Sequence, residues 1–177
     1  MMTNLNRRDV LKQFAVVTAG FAIIPACMQD RSKSALLLKK IIVNPSDERM
    51  LSELCETILP KTDTPGAKDI AAHLFVLKMV DDCRSKEEQT RFMNGMAEFN
   101  TRCISSFGLA FIDCNEEKRN KIVEGLVADA EEKTDLISFF NTVKSLVMQA
   151  YTSSEFFLTQ VQVYELVPGR YHGCVSI

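Results

Sequence analysis

The chain has 177 residues, of which 21 are Lys or Arg and 23 are Asp or Glu, so its formal net charge at pH 7 is −2. This length fits one domain with one hydrophobic core. The slightly acidic balance argues against nucleic acid as a partner, because binding to phosphates needs a basic face.

Residues 1–26 are predicted to be an export signal. The adjacent Arg7 and Arg8, followed by Lys12, precede a mostly apolar run over residues 14–26. This order is typical of the twin-arginine signal, which directs folded proteins out of the cytoplasm. The apolar run is shorter than the roughly 20 residues that a membrane-spanning helix needs. Without the signal, the remaining 151 residues carry 18 basic and 22 acidic side chains, a formal charge of −4.

Cys27 directly follows the predicted signal and is a candidate for lipidation. Ala26 is the small residue expected before a lipidated cysteine, whereas Pro25 departs from the usual pattern. A lipid anchor and an unmodified Cys27 both stay open. Residues 27–45 are predicted to form a tether and an N-terminal arm, which either packs on its own domain or contacts a partner.

Residues 46–177 are predicted to form one all-α domain, a single bundle of about five helices. Apolar residues recur there at helical spacing, and such stripes pack against one another when no sheet is present. Ser46 is predicted to cap the first helix, Pro60 to end it and Gly108 to end the third. The predicted helices begin near residues 46, 68, 86, 116 and 134. The fourth is predicted to bury four apolar side chains: Ile122, Val123, Leu126 and Val127.

A loop and a tail interrupt the helical pattern. The loop over residues 60–67 contains two prolines that stiffen it and a glycine that permits a tight bend. The segment from Pro168 to Cys174 has turn-forming residues that exclude a regular helix, so an irregular C-terminal tail is predicted. We predict that loop and tail dock a partner, because Tyr and Arg commonly carry interface energy. The predicted partner-binding residues are Pro65, Gly66, Pro168, Gly169, Arg170, Tyr171, Gly173 and Cys174.

The sequence shows no pattern typical of a catalytic, cofactor or metal site. It contains no G-x-G-x-x-G for a dinucleotide, no C-x-x-C-H for attached haem and no C-x-x-C. His73 shares a helical stripe with apolar residues and is interpreted as a core or interface histidine. No serine, cysteine or carboxylate lies at a spacing from His172 that would indicate a catalytic dyad. Asp81 and Asp82 are interpreted as a solvated helix end.

The six cysteines fall into two groups. Cys55 and Cys103 lie on apolar helix faces and are predicted to be buried free thiols. Cys83, Cys114 and Cys174 are predicted at helix ends or in loops, where an oxidising compartment would allow disulfides. Internal pairing and a crosslink from Cys114 or Cys174 to a partner chain both stay open.

Several motifs together resemble the gluconate 2-dehydrogenase subunit 3 family over about residues 46–177. They are the export signal, Thr57-Ile58-Leu59-Pro60, Asp63-Thr64-Pro65-Gly66-Ala67, Tyr151-Thr152-Ser153 and Pro168-Gly169-Arg170-Tyr171-His172-Gly173-Cys174. Their order and the chain length match those of the family. The sequence departs from it at His172, where an acid is usual, and at Phe156-Phe157, where small residues are usual.

The resemblance implies a non-catalytic small subunit without a cofactor of its own. Its partner would be a large FAD-dependent dehydrogenase of the glucose-methanol-choline group, which oxidises sugars, sugar acids or glycosides in the periplasm. A cytochrome c subunit carrying haem c often accepts the electrons. The small subunit would supply the export signal and stabilise the flavoprotein, and lipid or the partner would hold it at the membrane. The alternative is a lipid-anchored periplasmic helical scaffold or binding protein with no enzyme partner.

Overall fold

The computed structural model describes residues 38–129, 133–162 and 169. The predicted export signal and most of the predicted docking tail therefore lie outside the described residues. The candidate residues concerned are Arg7, Arg8, Cys27, Pro168, Arg170, Tyr171, Gly173 and Cys174. Gly169 is described and is exposed.

The described part of the chain is all α, with five α-helices and no strand, as predicted. A 3-10 turn lies between the third and fourth helices at Phe111–Asp113, and a π-helix follows the fifth at Phe157–Val161. The α-helices are α1 (Pro45–Ile58), α2 (Ala72–Cys83), α3 (Lys86–Phe107), α4 (Glu116–Ala128) and α5 (Asp135–Thr152).

Helix α5 is the centre of the bundle, since it packs on α1, α2 and α3. The apolar residues that recur at helical spacing in the fifth predicted helix are buried, as predicted: Leu136, Ile137, Phe140, Val143, Leu146, Val147 and Ala150. Phe139 is buried in addition. The ring of Phe139 lies 4.9 Å from that of Phe92 and 5.9 Å from that of Phe99, and Phe99 contacts Phe111 at 4.9 Å. Tilted and edge-on ring pairs at these distances add to the stabilisation from burial.

Helices α3 and α5 pack closely together at Gly95. A Cβ atom at this position would lie 2.2 Å from the carbonyl oxygen of Asp135 and 2.5 Å from Cβ of Phe139. Both distances are shorter than a van der Waals contact. The missing side chain of Gly95 is therefore what allows the two backbones to pack.

Most predicted helix ends agree with the structure, and two starts differ. The N-cap of α1 is Asn44 instead of Ser46, and Pro45 occupies the first turn, where its missing N–H costs nothing. Helix α2 begins at Ala72 instead of near Lys68, because Ala71 adopts a left-handed conformation with φ 50°. The predicted glycine end of α3 is confirmed, since Gly108 has φ 68°.

Helix α4 lies at the edge of the bundle and is the least buried of the five. It packs mainly on α1 and buries only Ile122 and Leu126. Val123 is partly buried, whereas Val127 is 49% exposed, so the prediction that Val127 faces inward is wrong. A helix that contacts its neighbours along one narrow stripe buries residues four positions apart. Val127 directly follows the buried Leu126 and therefore points about 100° away from that stripe.

Candidate docking surface

The loop over residues 60–67 is built on one carboxylate of α1. Oε1 of Glu56 accepts the backbone N–H of Lys61 at 3.1 Å, and Oε2 accepts that of Lys68 at 2.8 Å. These two donors lie at the start of the loop and just after its end. Glu56 therefore fixes both ends of the loop to the helix from which it emerges.

Gly66, one of the predicted docking residues, is buried in this loop. A Cβ atom on Gly66 would lie 2.6 Å from the backbone nitrogen of Lys61 and 2.7 Å from Oε1 of Glu56. Its N–H donates to Oδ2 of Asp69 at 3.1 Å. Gly66 thus lets the chain pass close over Glu56, while Pro65 beside it is half-buried. The outer face of the loop is formed by Pro60, Lys61, Thr62 and Asp63, which are exposed.

An ion-pair network joins the loop region to α4. One oxygen of Glu53 lies 2.8 Å from Nζ of Lys68 and the other lies 2.5 Å from Nη1 of Arg119. Burial raises the pKa of Glu53, but hydrogen bonds and charge from Lys68 and Arg119 outweigh it, so the pKa is lowered. Arg119 also donates to the carbonyls of Phe111 at 3.2 Å and Ile112 at 2.7 Å.

A groove of about 380 Å³ opens beside this loop. Its walls come from α2 and the residues just before it, and from the end of α5 and the residues just after it; they combine apolar and polar side chains. The lining residues are Asp69, Ile70, Phe75, Ala150, Ser153, Ser154, Glu155 and Phe156. Asp69 belongs both to the groove and to the loop, because it holds the N–H of Gly66.

The segment that leads to the tail lies at the same groove. The ring of Tyr151 contacts those of Phe157 at 5.7 Å and Phe156 at 6.5 Å. The hydroxyl of Ser154 accepts the N–H of Phe157 at 3.2 Å. Asp69 thus connects the predicted loop with the groove at the segment leading to the predicted tail, and we call this region the docking surface (residues 60–70, Phe75 and 150–157).

Asp81 contradicts its predicted place in a solvated helix end. It is fully buried, and its carboxylate accepts three backbone N–H groups: those of Lys39 at 2.9 Å, Lys40 at 2.7 Å and Ile41 at 3.0 Å. Asp82 is exposed, as predicted. An acid near the C-terminus of a helix is disfavoured by the helix dipole. An acid at this position in the sequence therefore indicates hydrogen-bond donors that come from outside the helix.

The environment of Asp81 keeps its carboxylate ionised. Burial raises the pKa, but the three backbone N–H bonds outweigh burial and hold it below its ordinary value. The same end of α2 is closed by the buried Gln89 of α3, whose amide donates to the carbonyls of Val80, Asp81 and Arg84. The arm over residues 38–43 thus packs on its own domain, one of the two predicted alternatives.

His73 is half-buried on α2, consistent with the predicted core or interface histidine. Its Nδ1 atom is enclosed and has no hydrogen-bond partner among the described residues. Burial lowers the pKa of His73, and the nearby Glu48 carboxylate opposes this in part. Within the described ranges, no cluster of three or more His, Cys, Asp or Glu side chains could hold a metal ion.

The four described cysteines are free thiols. Cys55 and Cys103 are buried, as predicted, and burial raises the pKa of each to about 12. Cys83 is exposed at the end of α2. Cys114 is buried, although it lies in the connection between α3 and α4. The predicted disulfides of Cys83, Cys114 and Cys174 stay predictions, and Cys174 lies outside the described residues.

Residues 45–169 match a protein-family model described as Gluconate 2-dehydrogenase subunit 3. This range begins with α1 and includes all five helices and the whole docking surface. No curated protein and no solved structure matches the chain. In the part of the chain that the structure describes, no helix has the length and apolar character needed to cross a membrane.

Proposed function

Because the chain belongs to the gluconate 2-dehydrogenase subunit 3 family, we propose that it is the accessory small subunit of an exported dehydrogenase complex. Its partner is a large FAD-dependent dehydrogenase of the glucose-methanol-choline group, which oxidises sugars, sugar acids or glycosides. The small subunit has no active site of its own; it stabilises the flavoprotein and supplies its export signal. Where the complex has a third subunit, a cytochrome c with haem c accepts the electrons.

The extent of the family match carries this proposal. A match to one short motif would fit many helical bundles, whereas residues 45–169 include every described helix and the docking surface. The sequence also has no G-x-G-x-x-G fingerprint. That fingerprint is what a dinucleotide pyrophosphate commonly needs, which supports placing the FAD in the partner.

The docking surface supports a role in binding a large partner. Glu56 and Gly66 hold the loop in shape without a partner, so little conformational entropy is lost when one binds. The groove is lined by both apolar and polar side chains, a mixture that protein interfaces also show. In this proposal the tail, with Arg170 and Tyr171, extends the interface.

The export role rests on Arg7 and Arg8. A twin-arginine signal suits a complex whose flavoprotein has already folded around its cofactor. In this proposal the complex works in the periplasm, and a lipid on Cys27 or the partner holds it at the membrane.

The test is to produce the large subunit in the native host with the wild-type chain, with the double variant Arg7→Lys and Arg8→Lys, and without the chain. Of the three conditions, we expect FAD-loaded large subunit in the exported fraction only with the wild-type chain. With the double variant it should stay in the cytoplasm, still bound to the small subunit. Normal export without this chain would contradict the carrier role.

Purification of the chain from the exported fraction tests the partner separately. A much larger protein with a flavin absorption spectrum should copurify with it. Recovery of the chain alone, attached to membranes through Cys27, would instead favour the lipid-anchored scaffold.

A further inference from the structure

The charged side chains of the docking surface are unevenly paired. Both of its lysines already have a carboxylate partner: Nζ of Lys61 lies 3.1 Å from Oδ2 of Asp69, and Nζ of Lys68 lies 2.8 Å from a carboxylate oxygen of α1. The two other acids of the surface, Asp63 and Glu155, are exposed. Among the described residues, neither of these two carboxylates has an ion pair or a hydrogen bond. The charge that this surface leaves for a partner is therefore negative.

Glu155 lies beside the apolar part of the groove. The apolar lining consists of four side chains: Ile70, Phe75, Ala150 and Phe156. Three of them, Ile70, Phe75 and Phe156, are only partly buried by the chain itself. They keep apolar area that a partner can cover, and covering apolar area favours association. The groove thus combines an unpaired carboxylate with uncovered hydrocarbon.

A long cationic side chain matches this combination. The stem of an arginine or lysine is a chain of methylene groups that packs on apolar surface, while its charged head reaches a polar rim. A guanidinium or ammonium group is also attracted to the face of a phenylalanine ring. A purely apolar side chain would instead shut water away from Glu155 and leave its charge unpaired, which is unfavourable. An acidic side chain would add repulsion between like charges.

We propose that the docking surface binds a basic segment of the partner, with one arginine or lysine in the groove and its charge against Glu155. This inference rests on the proposed function, since it takes the large flavoprotein as the partner, and it adds the chemistry of the segment that the flavoprotein presents. Asp63, on the outer face of the loop, attracts a further cation of that segment. Complementary charges of this kind speed association and fix the orientation of the partner.

The test measures how binding depends on the charge of Glu155. The flavoprotein that copurifies with the wild-type chain is isolated and titrated by calorimetry with four purified chains: wild type, Glu155→Lys, Glu155→Gln and Glu87→Lys. Glu87→Lys is the matched control, because Glu87 of α3 is also an exposed glutamate without an ion pair in the described ranges. It lies outside the docking surface.

Charge reversal at Glu155 should weaken binding more than removal of its charge. At low salt, we expect the Kd to rise about tenfold for Glu155→Lys and about threefold for Glu155→Gln. Glu87→Lys should bind as the wild type does. Raising NaCl from about 0.05 M to about 0.5 M should weaken the wild-type complex more than the Glu155→Gln complex, because salt screens the lost ion pair only in the former.

The contrary outcomes are distinct. An equal Kd for Glu155→Lys and Glu87→Lys would overturn this inference and leave the proposed function standing. If no flavoprotein copurifies with the wild-type chain, the proposed function fails and the inference fails with it. Thermal unfolding of the purified chain tests a different occupant, since Glu155→Lys should melt with the wild type. A lower melting temperature would mean that a cation of this same chain, such as Arg170, fills the groove, which would also overturn the proposal.

Discussion

Glu53 of α1 and Arg119 of α4 form an ion pair across 66 positions of sequence, through Oε2 of Glu53 and Nη1 of Arg119. Both side chains are mostly buried. The other oxygen of Glu53 holds Lys68, and the rest of the guanidinium holds two carbonyls of the 3-10 turn. Through these contacts, Glu53 and Arg119 link three parts of the molecule: the loop region, the turn and the edge helix α4.

Replacing Arg119 with lysine should destabilise the fold by about 1–3 kcal/mol. Lysine keeps the charge that faces Glu53, but it cannot also donate to the carbonyls of Phe111 and Ile112. Urea unfolding of the purified chain measures the change. Lys121→Ala is the control, because Lys121 forms an exposed pair with Glu117 within α4 and should contribute nothing measurable. Equal stability of the Arg119→Lys variant and the wild type would refute this account.

Asp81→Asn should lower the free energy of unfolding at neutral pH by about 2–4 kcal/mol. An amide at this position offers one acceptor atom and one donor to three N–H groups that all need an acceptor. Asp82→Asn, one residue further on, changes an exposed acid and should have little effect.

The effect of Asp81→Asn should depend on pH, because the folded-state pKa of Asp81 is below its ordinary value of 3.8. A lowered carboxylate pKa stabilises the fold fully above the unfolded-state pKa, and this stabilisation is lost as pH falls through the folded-state pKa. The stability difference between wild type and variant should therefore be constant from about pH 7 to about pH 5 and shrink below about pH 4. A difference that grows with acid would contradict the sign of the shift.

Gly95→Ala should destabilise the protein by about 2–4 kcal/mol, although alanine is the better helix former. The added methyl group would overlap the carbonyl of Asp135 and force α3 away from α5. Gly125→Ala in α4 is a matched control, since its new Cβ would meet only Nη2 of Arg102 at 3.8 Å. That variant should be more stable than the wild type by about 0.5–1 kcal/mol. Thermal unfolding followed by circular dichroism distinguishes the two.

Ser153→Trp should weaken binding to the proposed flavoprotein, because the indole would fill the groove without removing a core contact. Ser105→Trp is the matched control: both serines are exposed, and each donates from its hydroxyl to the carbonyl four residues earlier. We expect about tenfold less flavin to copurify with Ser153→Trp, as for the loss of an interface hot spot. Unchanged flavin recovery would place the interface elsewhere.

Much of the fold could be predicted because the relevant forces act locally. Apolar residues at helical spacing indicate five helices, and Gly108 marks the end of α3 by the conformation that it permits. The position of Val127 could not be derived in this way, because it depends on how little of α4 the neighbouring helices cover. The left-handed conformation of Ala71 also depends on the packing of the loop, and no local sequence pattern indicates it.

The location of the candidate site could be predicted from the sequence, but the contacts that hold it together could not. Prolines and a glycine mark the loop over residues 60–67, yet nothing local indicates that Glu56 binds both of its ends. The contacts of Asp81 join residues about 40 positions apart. Such contacts follow from tertiary structure, and a single sequence records them only as an acid placed where the helix dipole disfavours it.

The small number of buried side chains in α4 also affects how easily this helix opens. A helix that buries two side chains and packs mainly on α1 opens at a lower free energy than the central α5. Amide hydrogens of α4 should therefore exchange with solvent deuterium well before those of α5. Each such opening would detach Arg119 from Glu53 and from the 3-10 turn, so the rate at which this helix fluctuates would set how long the ion pair between α1 and α4 lasts.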